Sequence, residues 1–122
     1  MSAIPTLGTM ALDCPDPVAL GEFYRRLLDW GPIEADDEVR WVNLDNPAGG
    51  AGLAFQRVSG YRPPEWPGQD VPQQAHLDLQ VDDMEAAHER ALGIGAKLLD
   101  DSRQGFRVYA DPAGHPFCLC QS

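Results

Sequence analysis

His76, Asp78 and Gln80 alternate along Ala75-His-Leu-Asp-Leu-Gln-Val-Asp-Asp83, and Cys118 and Cys120 alternate along Pro116-Phe-Cys-Leu-Cys120. Residues two apart on an extended strand share a face, so each segment shows its polar or sulfur-bearing side chains together. An imidazole beside a carboxylate can work as a general base, because imidazole in general titrates near neutrality and a carboxylate orients it. No second catalytic group stands beside His76 in the sequence, so a plain hydrogen-bonded histidine is the leading reading and a base the second. His76 with Cys118 and Cys120 would make a soft Cys2His zinc set, although C-x-C on a strand is an unusual zinc spacing. A disulfide between the two thiols is disfavoured, since side chains two apart on a strand sit roughly 6.6 Å apart.

Other chemistries lack their motifs. There is no Gly-x-Gly-x-x-Gly turn, no Gly-x-x-x-x-Gly-Lys phosphate cradle and no nucleophile elbow, so nicotinamide, flavin and nucleoside triphosphate chemistry have no support. Nine Lys and Arg against 19 Asp and Glu leave a formal charge of −10. A chain this acidic lacks the positive field that nucleic acid or an anionic membrane surface requires, so neither is an expected partner. The 122 residues, 43% apolar and 23% charged, have the composition and size of a single soluble globular domain. The opening residues hold no basic n-region or long apolar run, and no stretch approaches the ~18 apolar residues of a membrane span. Three cysteines, an odd number, make no disulfide framework. Reduced thiols and a cytoplasmic location are the expectation.

The elements that carry these residues come in two copies. Leu7 to Asp16 and Ala75 to Asp83 are alternating strands ending in an Asp placed to cap a helix; Leu12, Cys14 and Asp16 meet Leu79, Val81 and Asp83 at an offset of 67. The helix from Pro17 carries the stripe Leu20, Phe23, Tyr24, Leu27 and Leu28, while the helix from Met84 is about one turn shorter and more weakly striped. Strands are then predicted near 33–35 and over 39–44, 52–58, 96–99, 105–110 and 116–120, with the later offset falling to 64. Trp41 and Phe55 are expected in the core, His88 in solvent, and the run Glu34, Asp36, Asp37, Glu38 in an exposed turn. Between the copies, residues 59–74 hold four prolines and no regular element. Tyr61 and Trp66 there favour an ordered path, as a lid or a subunit contact.

The doubled strand–helix–three-strand pattern, His76 opening the second copy, and the closing Asp111-Pro-Ala-Gly-His-Pro-Phe-Cys-Leu119 together resemble the vicinal oxygen chelate superfamily of glyoxalases, bleomycin-resistance proteins and dioxygenases. Within it the chain is similar to the glyoxalase-like domain group. The resemblance implies an α+β fold of two βαβββ modules in pseudo-twofold repeat, forming a cupped mixed sheet with a central cavity. It covers one glyoxalase-like domain over 1–122, with module one at about 6–58, the connector at 59–74 and module two at about 75–121. It also implies a homodimer.

Carried over by position, the superfamily's metal ligands fall on Thr9, His76, Ala54 and Cys118. Only His76 keeps a family ligand type, and His76 and Cys118 are the weak metal candidates that remain. No cofactor is therefore expected, a divalent metal being the disfavoured alternative. Ligand contacts are expected from Thr9, Asp13, Gln56, His76, Asp78, Gln80 and Cys118, with Tyr61 and Trp66 from the connector. The functional expectation is a binder of a small organic molecule without the usual metal site, with His76 the weak catalytic candidate. The alternative is a metal-dependent lyase, isomerase or dioxygenase using His76 with non-standard ligands.

Overall fold

Asp16 and Asp83 open the two helices in the same way. Each has an extended backbone, and each side chain accepts a hydrogen bond at 3.1 Å from the amide three residues on, Ala19 or Ala86. That satisfies one of the N–H groups a first helical turn leaves without a partner. The computed structural model describes residues 3–122. Contacts divide the chain into two compact units, Met1–Ser59 and Gly60–Ser122.

The first unit runs β1 (Thr9–Cys14), α1 (Pro17–Leu28), β2 (Glu34–Ala35), β3 (Trp41–Leu44) and β4 (Gly52–Arg57). Its sheet has the order β1-β4-β3-β2, with β1 parallel to β4 and the other pairs antiparallel. The second runs β5 (Leu77–Val81), α2 (Met84–Gly93), β6 (Lys97–Asp100), β7 (Phe106–Ala110) and β8 (Pro116–Gln121), in the order β5-β8-β7-β6. Met10 pairs with Leu53 in one unit and Leu77 with Phe117 in the other, so the offsets of 67 and 64 reproduce the strand register. The eight strands, two helices and internal repeat expected from the sequence are all present. Among the described residues no helix is long and apolar enough to cross a membrane.

In each unit one sheet face is buried. Leu20, Phe23 and Tyr24 of α1 are buried with Leu12, Val42 and Phe55, and the Tyr24 and Phe55 rings stack at 5.7 Å. In the second unit Ala91 of α2 is buried with Tyr109, Phe117 and Leu119; the two rings stack at 5.5 Å. Period-2 alternation in the strands and period-3.6 spacing in α1 put these apolar side chains on one side.

Two expectations about single residues need correction. Trp41 is not in the core with Phe55. It pairs in register with Gln56, one step out of phase with Phe55, and lies half-buried on the other face, its indole N–H donating to Asn43 Oδ1 at 3.0 Å. His88 is not simply solvated, because its Nδ1 lies 2.7 Å from the hydroxyl of the fully buried Tyr109. Burial of that phenol raises its pKa, and a buried hydroxyl needs a partner. Phe55 is buried, and Glu34, Asp36, Asp37 and Glu38 are exposed, as expected.

Residues 60–74 of the connector belong to the second unit. Asp111, 4% exposed, organises the turn that receives them: its Oδ1 accepts from the amides of Ala113 and His115 at 2.9 and 3.0 Å. The Tyr61 hydroxyl donates to Ala113 O at 2.7 Å and lies 3.2 Å from His115 Nε2. At Gly114 φ is +89°, and a Cβ there would come within 2.7 Å of Pro63 Cβ. Glycine serves both demands, the left-handed backbone and the close approach of the connector.

Candidate functional site

The polar face of β5 meets two neighbours. Asp78 pairs with Cys118 of β8, which pairs with Val108 of β7; Gln80 pairs with Cys120, which pairs with Phe106. These rows alternate with the buried Phe117, Leu119 and Tyr109, so they occupy the sheet face that does not carry that core. A cavity of about 300 Å³ opens on this face, lined by Phe106, Val108, Pro116, Cys118 and Cys120 from the sheet and by His76 and Asp78 at its polar end. Trp66 and Gln73 of the connector supply the remaining wall. Its volume is at the small end of organic-ligand sites, and its mix of apolar wall and few polar groups is typical of them.

At the polar end His76 Nε2 lies 3.1 Å from Asp78 Oδ1, with the two side chains 41% and 56% exposed. Cys118 is buried, and ligand atoms of His76, Asp78 and Cys118 all lie within 4.8 Å of one another. Burial first, and then the adjacent Asp78 carboxylate, push the Cys118 thiol up to about 12. The same two causes raise the Cys120 thiol. Near neutral pH both therefore stay protonated, and a neutral thiol is a poor nucleophile. Gln73 Oε1 is buried with no hydrogen-bond partner. A buried acceptor left in that state costs about 1–3 kcal/mol.

The residues expected to form a site divide between the two units. Trp66, His76, Asp78 and Cys118 come together around the cavity. Gln80 shares the strand face but is exposed and does not line it. Tyr61 does not line it either, its hydroxyl being engaged by the Asp111–His115 turn. Thr9, Asp13 and Gln56 are exposed residues of the first sheet, with Asp13 and Gln56 in register. Gln73, Phe106, Val108, Pro116 and Cys120 were absent from the expected ligand set. For the four strand residues the signal was available, since pairing β7 to β8 in antiparallel register puts Phe106 and Val108 on the Cys120 and Cys118 face. For Gln73, in an irregular segment, no periodic signal exists.

The superfamily's metal site is not reproduced. Of its four positions Thr9 offers an exposed hydroxyl, Ala54 is a buried methyl, and Cys118 is a thiol that burial holds protonated. A hard divalent ion, which needs several oxygen or imidazole donors, does not fit this set.

Comparison with known proteins agrees with the architecture. The chain is similar to a glyoxalase/bleomycin resistance protein/dioxygenase family enzyme from Burkholderia phytofirmans PsJN, with TM-score 0.68 and 18% identity over 96% of this chain and 98% of that one. It is similar to a glyoxalase-related enzyme from Fulvimarina pelagi, with TM-score 0.70 and 20% identity over 98% and 89% of the two chains. The fosfomycin resistance protein FosX from Mesorhizobium loti gives TM-score 0.71 and 15% identity over 96% and 91%. Identities this low establish a shared fold. No curated protein matches the sequence. The glyoxalase-like domain family, in contrast, matches residues 9–120, from the first residue of β1 to the second-last residue of β8. With that match spanning both copies of the repeat, and with neighbours that share its fold, the chain belongs to the glyoxalase-like domain family of the vicinal oxygen chelate superfamily.

Proposed function

We propose that the protein binds a small organic ligand in the cavity of its second unit, without the metal centre of the superfamily's enzymes. The cavity itself carries this reading: about 300 Å³, walled by Trp66, Phe106, Val108 and Pro116, with three polar side chains gathered at it. Phe106 is 36% exposed, and covering a ring of that kind favours an apolar occupant. Binding of this type, as in the bleomycin-resistance branch that the chain resembles, needs shape and a few polar contacts rather than a Lewis acid. Neighbours named as a fosfomycin resistance protein and a glyoxalase-related enzyme support a small-molecule role for the fold. The test is a fragment titration followed by amide chemical shifts. Shifts clustered on Trp66, Gln73, His76, Cys118 and Cys120 are expected. Fragments that bind only elsewhere would end the reading.

A second reading rests on the His76, Asp78 and Cys118 cluster. Nitrogen, oxygen and sulfur donors this close suit a borderline ion better than a hard one, and a metal-dependent lyase, isomerase or dioxygenase would follow. Metal analysis of protein purified without chelator separates the two. The binder carries well under one equivalent of nickel, zinc, iron or manganese; the enzyme carries one. A homodimer, implied by the family resemblance, belongs to the first reading and is tested by light scattering.

A further inference from the structure

We infer that the occupant of the second unit's cavity presents a nitrogen donor, as a primary amine or amidine on a compact apolar or aromatic body. This rests on the binding reading above and names the ligand class for that same cavity.

Gln73 lines the cavity and carries a buried oxygen with no hydrogen-bond partner, and Asp78 contributes a carboxylate that is more than half exposed. A carboxylate has two oxygens and about four acceptor positions, of which His76 Nε2 and the Cys118 thiol each use one. No lysine or arginine lines the cavity. A carboxylate and an amide oxygen without a partner both accept, so a positively charged donor gains most here, because charge-assisted bonds are the stronger ones. An anionic ligand would meet the Asp78 carboxylate with no lysine or arginine beside it. The apolar remainder of the wall, Trp66, Phe106, Val108 and Pro116, covers the body of the molecule, and a cation near an aromatic face is favoured as well. The small cavity volume limits that body to about one ring with a short chain.

Benzylamine, benzamidine, benzyl alcohol and benzoate share one ring and differ in the polar group, so they form the test set. Affinities are read by ligand-observed NMR and amide shifts at about 0.15 M salt, where the net charge of −10 is screened beyond ~8 Å. The amine and the amidine are expected to bind at least tenfold more tightly than benzoate, with shifts at Gln73, His76 and Cys118. Asp78→Asn should remove most of that preference while leaving benzyl alcohol within about twofold. Gln73→Met should weaken the amine and leave the thermal midpoint unchanged or higher. Asp37→Asn, which removes an equal charge from the exposed turn of the first unit, should leave the preference intact. If benzoate binds in the cavity as well as benzylamine, or if Asp37→Asn lowers the preference as much as Asp78→Asn, the inference is overturned while the binding reading stands. If no ring compound shifts any cavity residue at millimolar concentration, the binding reading and the inference both fail.

Discussion

Asp78 faces Cys118 across the parallel pair β5 and β8 at the same register step at which Ala11 faces Ala54 across β1 and β4. One backbone plan thus carries a carboxylate beside a buried thiol in the second unit and two methyl groups in the first. Among the described residues, His76, Asp78 and Cys118 are the one group of metal-ligating side chains drawn within 4.8 Å of each other.

The thiols give the first prediction. Since Cys118 is buried and pushed up to about 12, it should resist iodoacetamide at pH 8 in the folded protein and react fully once unfolded. Cys120, raised but half-buried, should react faster than Cys118. The folded state holds the Cys118 proton more tightly than the unfolded chain, where a thiol titrates near 9.0. Its contribution to stability is thus intact below pH 9 and is lost as pH rises toward about 12. Urea midpoints for wild type and Cys118→Ala across that range should converge as pH rises.

The helix caps give the second. Asp16→Ala and Asp83→Ala each remove the acceptor for one first-turn amide, at matching 3.1 Å geometry. Each should cost about 1 kcal/mol in chemical denaturation. A serine at either position should restore most of it.

At Gly114 the third prediction joins fold to site. A methyl group there meets both an unfavourable φ of +89° and Pro63 at 2.7 Å. Gly114→Ala should therefore destabilise the second unit by more than 1 kcal/mol, roughly the cost of a strained backbone alone. Because Pro63 lies three residues before Trp66, amide shifts at Trp66 and Gln73 should change with it. Tyr61→Phe, which deletes the donor to Ala113 O, should perturb the same residues more mildly.

Val39 gives a fourth, in the other unit. Its φ is +53°, unfavourable for a β-branched residue, in the turn where Asp36 Oδ1 accepts from the Arg40 and Trp41 amides. Val39→Gly should leave the fold unchanged and raise stability by up to about 1 kcal/mol, the left-handed penalty less glycine's entropic cost. Calorimetry would show it as a higher midpoint.

The repeat, its caps and its strand faces were legible in the sequence, because each is a local rule. Asp16 and Asp83 act on amides three residues away, and alternation assigns His76 and Asp78 to one face whatever covers it. Side chains whose partners are distant in the chain were not legible. His88 depends on a tyrosine 21 positions on, and Tyr61 on a carbonyl 52 positions on. Trp41 left the core because β3 pairs with β4 one step out of phase with the aromatic spacing expected. Trp66 and Gln73 line the cavity because the connector is held against the Asp111–His115 turn, and a segment without periodicity carries no statement of where it lies. Periodicity specifies which way a side chain points. What stands opposite it, and whether Gln73 Oε1 finds a donor there, is decided by packing between segments far apart in the chain.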